Sequence, residues 1–98
     1  MEIKNQINGS VATLKLIGRV DTTTAPEFEK EIDNIGDDIT DVVLDLEELT
    51  YTSSAGLRVL LKAQKMMNKR GSMKLIHVNE DIKEILEVTG FSDILTIE

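Results

Sequence analysis

The sequence predicts a single α/β domain with a mixed central β-sheet, and three observations indicate it. An Asn8-Gly9 dipeptide separates two stretches of strand character, which predicts an N-terminal β-hairpin. After it, strand-like runs alternate with amphipathic segments of helical period, an order typical of right-handed β-α-β crossovers. The 98 residues are 41% hydrophobic, which is enough for one compact core. We therefore expect one domain over residues 1–98 with about three main helices.

The hairpin strands are predicted at Met1 to Ile7 and Ser10 to Ile17. In the second strand, apolar side chains fall on one face and mixed ones on the other, and the apolar set is Ala12, Leu14 and Leu16. This period of two is typical of a sheet that is covered mainly on one side.

The first helix is predicted from its start signal. Thr24 stands three residues before Glu27, and Pro26 falls in the first turn, so Thr24 is predicted to be the N-cap of a capping box. Gly36 supplies a stop. The residues at helical spacing on the inward face are Ala25, Phe28, Ile32 and Ile35.

A second strand and helix follow. Val42 to Leu46 is predicted to be a strand in the middle of the sheet, and Glu47 to Ser53 a loop. A helix is predicted from Ala55 to about Arg70, ended by Gly71. Its inward residues are Leu57, Leu60, Leu61, Ala63 and Met67, and its opposite stripe is wholly basic: Arg58, Lys62, Lys65 and Lys69.

The last third of the chain repeats the alternation. A strand is predicted at Met73 to Val78, and a helix is marked by Ile82, Ile85, Leu86 and Thr89. Gly90 closes that helix, and Phe91 is placed to pack back over its end. Ile94 to Ile97 is predicted to be a final short strand.

Composition excludes several classes of function. The formal charge is 11 − 18 = −7, which disfavours nucleic acid and anionic membranes as partners. Cysteine is absent, so no disulfide or thiolate metal site exists. No apolar run approaches the roughly 18 to 20 residues of a membrane span, and the amino end lacks the apolar stretch of a signal peptide. We expect a cytoplasmic protein.

The residue patterns of catalysis are also missing. Neither a P-loop nor a G-x-G-x-x-G motif is present. The one imidazole, His77, has apolar neighbours in a predicted strand and is expected to be structural; a role as phosphoryl carrier would require an exposed ring. The acidic pairs Asp37-Asp38 and Glu47-Glu48 lack calcium-site spacing and are predicted to be solvated. We expect a non-enzymatic protein without metal or cofactor.

Two stretches carry a resemblance to a known family. The segment VVLDLEELTYTSSAGLRVLL, Val42 to Leu61, resembles the signature of STAS domains, and in particular of bacterial anti-sigma factor antagonists. Upstream, GRVDTTTA, Gly18 to Ala25, resembles the second conserved stretch of that family. The predicted order of strands and helices suits the family fold, so the resemblance covers essentially the whole chain.

The resemblance implies a phosphorylation site before the second long helix. Aligning Gly56-Leu57 with the Gly-Leu of the family places Ser54 at the phospho-acceptor position and Ser53 where many members carry Asp. Ser53 is therefore the second choice for the modified residue. The residues that the resemblance implies for partner binding are Asp21, Thr22, Thr23, Thr52, Ser53, Ser54, Ala55, Gly56 and Arg58.

The resemblance also implies a switch. The unmodified protein would bind an anti-sigma factor that is also a serine kinase and so free the sigma factor; phosphorylation would end binding, and a phosphoserine phosphatase would reset it. A second hypothesis is a STAS scaffold subunit of a stressosome-type or transporter-associated assembly. From the residues alone, a serine before a helix is an N-cap and Asp21 is a turn residue.

Overall fold

The computed structural model describes all 98 residues, and it confirms the α/β class and the leading hairpin. No helix is both long and apolar enough to cross a membrane. The chain forms five strands, three helices and a short 3₁₀ helix at Phe91–Asp93. The strands and helices in chain order are β1 (Glu2–Asn8), β2 (Val11–Val20), α1 (Ala25–Asp33), β3 (Asp41–Asp45), β4 (Leu49–Thr52), α2 (Ser54–Asn68), β5 (Ser72–Ile76) and α3 (Glu80–Val88).

The sheet is mixed, with the order β1-β2-β3-β5. β1 is antiparallel to β2, while β2, β3 and β5 are parallel to one another. The ten-residue β2 outlasts its pairing with β3, which ends at Lys15 and Asp45. From Gly18 onward β2 pairs in parallel with β4 instead, and this pairing has an irregularity between Gly18 and Arg19. The far end of β2 therefore has a different neighbour from its beginning.

The hairpin turn lies one residue later than predicted. Asn8 pairs with Val11, so the two turn residues are Gly9 and Ser10. Of these only Gly9 has a positive φ, at 63°, as in a two-residue turn that needs glycine at its first position. The dipeptide signal located the turn, but the register of the strands decided which residues occupy it.

The core confirms most of the predicted inward residues. Leu61 of α2 is an exception, because it is only half-buried and lies outside the core cluster, whereas Val59 of the same helix is buried in it. Ala12, Leu14 and Leu16 are fully buried, and they form one cluster with most of the inward residues of the helices. β3 lies between β2 and β5, as predicted for a strand in the middle of the sheet. Its burial nevertheless alternates, and Val43 on its second face is only half-buried. One face of the sheet is therefore covered by the hydrophobic core, and the other face is partly exposed to solvent.

The predicted capping box of α1 is wrong, although the helix begins where expected. Thr24 occupies the N-cap position, but its side chain makes no cap bond. Thr24 Oγ1 instead accepts from the Asp21 N–H at 2.8 Å and donates to the Arg19 carbonyl at 2.9 Å. The hydroxyl is thus used to fold the loop before the helix rather than the helix itself.

The segment predicted as a loop, Glu47 to Ser53, contains the missed strand β4. α2 begins one residue before the predicted Ala55 and ends at Asn68 rather than near Arg70. These shifts join β4 to α2 through a single residue, Ser53.

The prediction of a final strand at Ile94 to Ile97 is also largely wrong. Residues 94–97 make one isolated parallel bridge, between Leu75 and Ile97, after the 3₁₀ helix. α3 is capped by Asn79, whose Oδ1 accepts from the Ile82 N–H at 2.9 Å. Gly90 follows with a φ of 80°, and Phe91 packs against the core as predicted.

Candidate functional site

The residue Ser53 joins the end of the sheet to the start of α2. Its N–H donates to the Val20 carbonyl at 2.8 Å, which continues the pairing of β4 with β2. Its carbonyl accepts from the Leu57 N–H at 3.0 Å, which is the first bond of the helix. The turn is therefore fixed by backbone bonds on both sides.

The two serines of this turn face different surroundings. Ser54, the first residue of α2, is exposed. The Oγ of Ser53 is buried and has no hydrogen-bond partner. Ser53 has the extended backbone of an N-cap, with φ −89° and ψ 178°, yet its hydroxyl caps no N–H. The cap interpretation therefore has no support from the Ser53 side chain.

Thr52 and Gly56 lie beneath the turn rather than on its surface. Thr52 is 3% exposed, and its Oγ1 donates to the Ser53 carbonyl at 3.2 Å. A Cβ on Gly56 would lie 2.8 Å from Val20 Cγ1 and would overlap Thr52 Oγ1. A helix can approach β4 this closely only with glycine at this position. These two residues shape the turn from inside and present no surface to a partner.

The neighbouring loop, Asp21 to Thr24, is organised by one carboxylate. Asp21 Oδ1 accepts from the Thr23 hydroxyl at 2.7 Å, the Thr23 N–H at 3.0 Å and the Thr24 N–H at 3.1 Å. Hydrogen bonds from Thr23 and then Thr24 lower the pKa of Asp21 to about 2. Asp21 thus acts here as a turn residue, and Thr22 and Thr23 are left exposed above it.

A groove of about 380 Å³ separates the amino-terminal ends of α1 and α2. It brings together members of both resembling stretches, since Thr22 comes from Gly18 to Ala25, and Ala55 and Arg58 come from Val42 to Leu61. The groove residues are Thr22, Ala25, Pro26, Glu29, Ala55, Arg58 and Val59. Ser54 is not one of them, but it directly precedes the groove residue Ala55 in the chain.

The basic stripe of α2 is interrupted at its second residue. Lys62 Nζ lies 3.0 Å from Glu29 Oε2 and 2.8 Å from Asp33 Oδ1, both on α1. These carboxylates raise the pKa of Lys62. Arg58 is exposed and makes no ion pair, so it is the cationic group available at the groove.

Two further surface residues flank the turn and were not singled out from the sequence. The Arg19 guanidinium lies 5.0 Å from the centre of the Tyr51 ring, and its Nε is 3.4 Å from Asp21 Oδ2. The only available signal was the resemblance, because Arg19 falls within Gly18 to Ala25 and Tyr51 within Val42 to Leu61; the local pattern had assigned Tyr51 to a loop. Their stacking depends on the pairing of β2 with β4, which the sequence did not predict.

The prediction that His77 lies within a strand, among apolar neighbours, is wrong. The residue follows β5 with a φ of 56°, and its side chain is 56% exposed. Its Nδ1 lies 3.0 Å from Asp45 Oδ1. Burial opposes ionisation of Asp45, but hydrogen bonds from the Glu47 N–H and His77 hold its pKa below the usual value. The strand ends at Ile76, so the apolar neighbours of His77 do not enclose it.

The family model of the STAS domain matches residues 2–98. The chain belongs to the STAS family. BtrV of Bordetella bronchiseptica, named as an anti-sigma factor antagonist, is 36% identical over 84 residues, which are 84% of this chain and 72% of BtrV. The anti-sigma-B factor antagonist of Bacillus subtilis is 28% identical over 85 residues, or 86% of this chain and 78% of that protein.

STAS structures share the fold of the chain almost from end to end. The anti-sigma factor antagonist SpoIIAA in its unphosphorylated form gives a TM-score of 0.78 at 13% identity and covers 99% of this chain and 87% of its own. The phosphorylated form of SpoIIAA, from Bacillus, gives 0.76 at 13% identity with 99% and 91% covered. At this identity the likeness shows the fold. Anti-sigma factor antagonists are non-enzymatic regulators, which agrees with the expectation for this STAS domain.

Proposed function

We propose that this STAS domain is an anti-sigma factor antagonist whose binding is switched by phosphorylation of Ser54. In its unmodified form it binds an anti-sigma factor that is also a serine kinase, and so releases the sigma factor. The phosphorylated form is released and is reset by a phosphoserine phosphatase. Relatives named as anti-sigma factor antagonists, over most of the chain, support the partner class.

The difference in exposure between the Ser53 and Ser54 hydroxyls is the observation that supports Ser54 as the phosphorylated residue. A kinase must bring the attacking oxygen in line with the γ-phosphate, so the acceptor has to be reachable. Ser54 is exposed, while the Ser53 Oγ is enclosed by protein atoms. This difference supports Ser54 as the acceptor.

The start of α2 is suited to hold a phosphate without unfolding. The first turn of α2 contains no acidic residue, so nothing on the helix already neutralises its amino-terminal dipole. A dianion there gains roughly 0.3 to 1 kcal/mol from that dipole. Arg58 lies one turn further along the helix, at the spacing at which side chains meet. We therefore expect phosphorylation to leave the fold intact.

The same charge weakens docking. Phosphorylation adds about −1.5 to −2 charges at Ser54, next to the groove residue Ala55. Burying this group against a surface that fits a neutral hydroxyl costs several kcal/mol of desolvation, and each 1.4 kcal/mol is about tenfold in affinity. The expected loss of affinity is therefore roughly a hundredfold or more. Exposed Thr22, Thr23 and Arg58, together with half-buried Ala55, are proposed to share that surface with Ser54.

The proposal is tested with the cognate kinase and three variants. Ser54→Ala should abolish labelling, measured by intact mass, and keep binding, measured calorimetrically. Ser54→Asp should bind at least about tenfold more weakly, because it places a charge at the same position. Ser53→Ala is the matched control and should be labelled like the parent protein, since its hydroxyl is buried.

Two outcomes would contradict the proposal. Labelling that persists in Ser54→Ala and vanishes in Ser53→Ala would assign the modification to Ser53. Absence of phosphate on the Thr52 to Ser54 peptide in cells under several growth conditions would favour the scaffold hypothesis. Recovery of a stressosome-type or transporter-associated assembly by pull-down would then identify that role.

A further inference from the structure

The amino-terminal strand leaves one edge of the sheet unpaired. β1 bonds to β2 on one side, and no strand lies on its other side. An open edge presents a row of free N–H and C=O groups that can pair with another strand. Its residue Ile7 is 55% exposed, which makes it one of four large hydrophobic residues left in solvent. The edge therefore combines free backbone groups with uncovered apolar surface.

The register of the hairpin identifies the free backbone groups. The Ser10 carbonyl bonds to β3 and the Gly18 N–H bonds to the chain before β4, so the even residues of β2 face away from β1. The odd residues of β2 then face β1, and their partners there are the even residues. It follows that the N–H and C=O groups of Ile3, Asn5 and Ile7 point outward.

We propose that this edge pairs with the same edge of a second copy of the chain, antiparallel and centred on Asn5. In this register Asn5 lies opposite Asn5 of the other copy, and Ile3 lies opposite Ile7. All three outward residues of each copy are then matched, which gives six backbone hydrogen bonds about a two-fold axis. The strand is self-complementary in this respect.

Side chains select the same register. Ile3 and Ile7 lie opposite Leu16 and Ala12 on the core face of the sheet, so their pairing across the seam extends the core. On the other face Lys4 lies opposite Gln6 of the second copy, and no like charges are opposed. A shift toward the amino end by one repeat would set Lys4 directly against Lys4. A shift the other way leaves Ile3 without a strand partner.

The pairing is expected to be weak and to tighten with salt. It buries one strand edge, far less than the surface of a stable dimer, so a reversible equilibrium is expected. Each copy carries a net charge of −7, and screening of this repulsion favours association as ionic strength rises. The edge lies on β1, apart from the turn at Ser53 and Ser54, so this pairing can fail or succeed independently of the proposed switch.

Sedimentation velocity over a range from about 10 μM to about 1 mM tests the proposal. The parent protein should form a concentration-dependent dimer. Asn5→Pro deletes an outward N–H in each copy, two of the six bonds, and should weaken the dimer by about tenfold or more. Asn5→Thr keeps the N–H and should still pair.

A second pair of variants keeps the test independent of any effect of proline on folding. Ile7→Lys places charge in the seam and should abolish the dimer, whereas Val88→Lys, at a residue 77% exposed elsewhere, should not. Circular dichroism confirms that each variant is folded. A parent protein that stays monomeric at the highest concentration, or a dimer unaffected by both Asn5→Pro and Ile7→Lys, would overturn the proposal.

Discussion

Replacing Gly56 with alanine tests how closely α2 packs against the end of the sheet. The added Cβ would lie 2.8 Å from Val20 Cγ1 and 3.2 Å from Val20 Cβ. Carbon atoms in favourable contact are roughly 3.5 to 4.0 Å apart, so the new methyl group is well inside that distance. Val20 is 1% exposed and Thr52 is 3% exposed, so neither side chain can move into solvent.

Two opposing effects decide how far Gly56→Ala changes the free energy of unfolding. Alanine is favoured over glycine inside a helix by about 1 kcal/mol. Overpacking a rigid core costs about 1 to 3 kcal/mol, and contacts on two buried neighbours put this site at the upper end. We expect a net loss of about 1 to 2 kcal/mol, which lowers the melting temperature by roughly 5 to 15 °C in a domain of this size.

Urea unfolding measures this change, and a double variant isolates its cause. In Val20→Ala the neighbouring side chain is shortened, so adding Gly56→Ala there should cost less than adding it to the parent protein. The difference between the two costs should exceed about 0.5 kcal/mol if the methyl groups collide. An increase of stability of about 1 kcal/mol in Gly56→Ala alone would show only the helix preference and refute the packing argument.

Three other substitutions are each expected to change the stability of the fold in a way that a separate measurement can check. The folded pKa of Asp21, about 2, lies below its ordinary value of 3.8, so its bonds stabilise the fold above about pH 4 and are lost as pH falls toward 2. The parent protein should therefore exceed Asp21→Ala in free energy of unfolding, measured with urea, by less and less as the pH falls from about 4 to about 2. A difference that stays constant over this range would contradict the prediction. Lys62→Ala should destabilise more than Lys65→Ala in thermal melts at low salt, because Lys62 bridges two carboxylates, and the difference should vanish at about 1 M salt. Gly90→Ala should lose about 1 to 2 kcal/mol in urea unfolding from its positive φ alone, since nothing crowds the site, and Gly90→Asn should lose less.

The elements with strong periodicity were predictable from the sequence. The alternation in β2 gave the correct inward face, and Phe28 and Ile32 lie on the buried side of α1 as predicted. These patterns report burial directly, because a side chain that repeats with the period of its element must lie on one face.

β4 was not predictable by the same means. It has only four residues, of which the first and last, Leu49 and Thr52, are buried, so it shows no period of two. Its partner is the far end of β2, some thirty residues earlier, and the pairing passes an irregularity at Gly18 and Arg19. Long-range pairing of this kind leaves little trace in the local sequence.

The difference between the two serines depends on that missed strand. The resemblance located the turn, but Ser53 and Ser54 are adjacent residues of the same type. The bond from the Ser53 N–H to the Val20 carbonyl holds this residue in the sheet, and its hydroxyl is enclosed as a result. His77 shows the converse, since apolar neighbours in sequence did not bury a residue that follows the end of its strand.

The double bridge from Lys62 to Glu29 and Asp33 ties the two walls of the groove together, since Glu29 itself lines that groove. We expect this link to limit the movement of α1 relative to α2, so that less conformational freedom is lost when a partner side chain enters the groove. Loosening this tether by substitution is expected to shorten the lifetime of a complex more than it slows encounter.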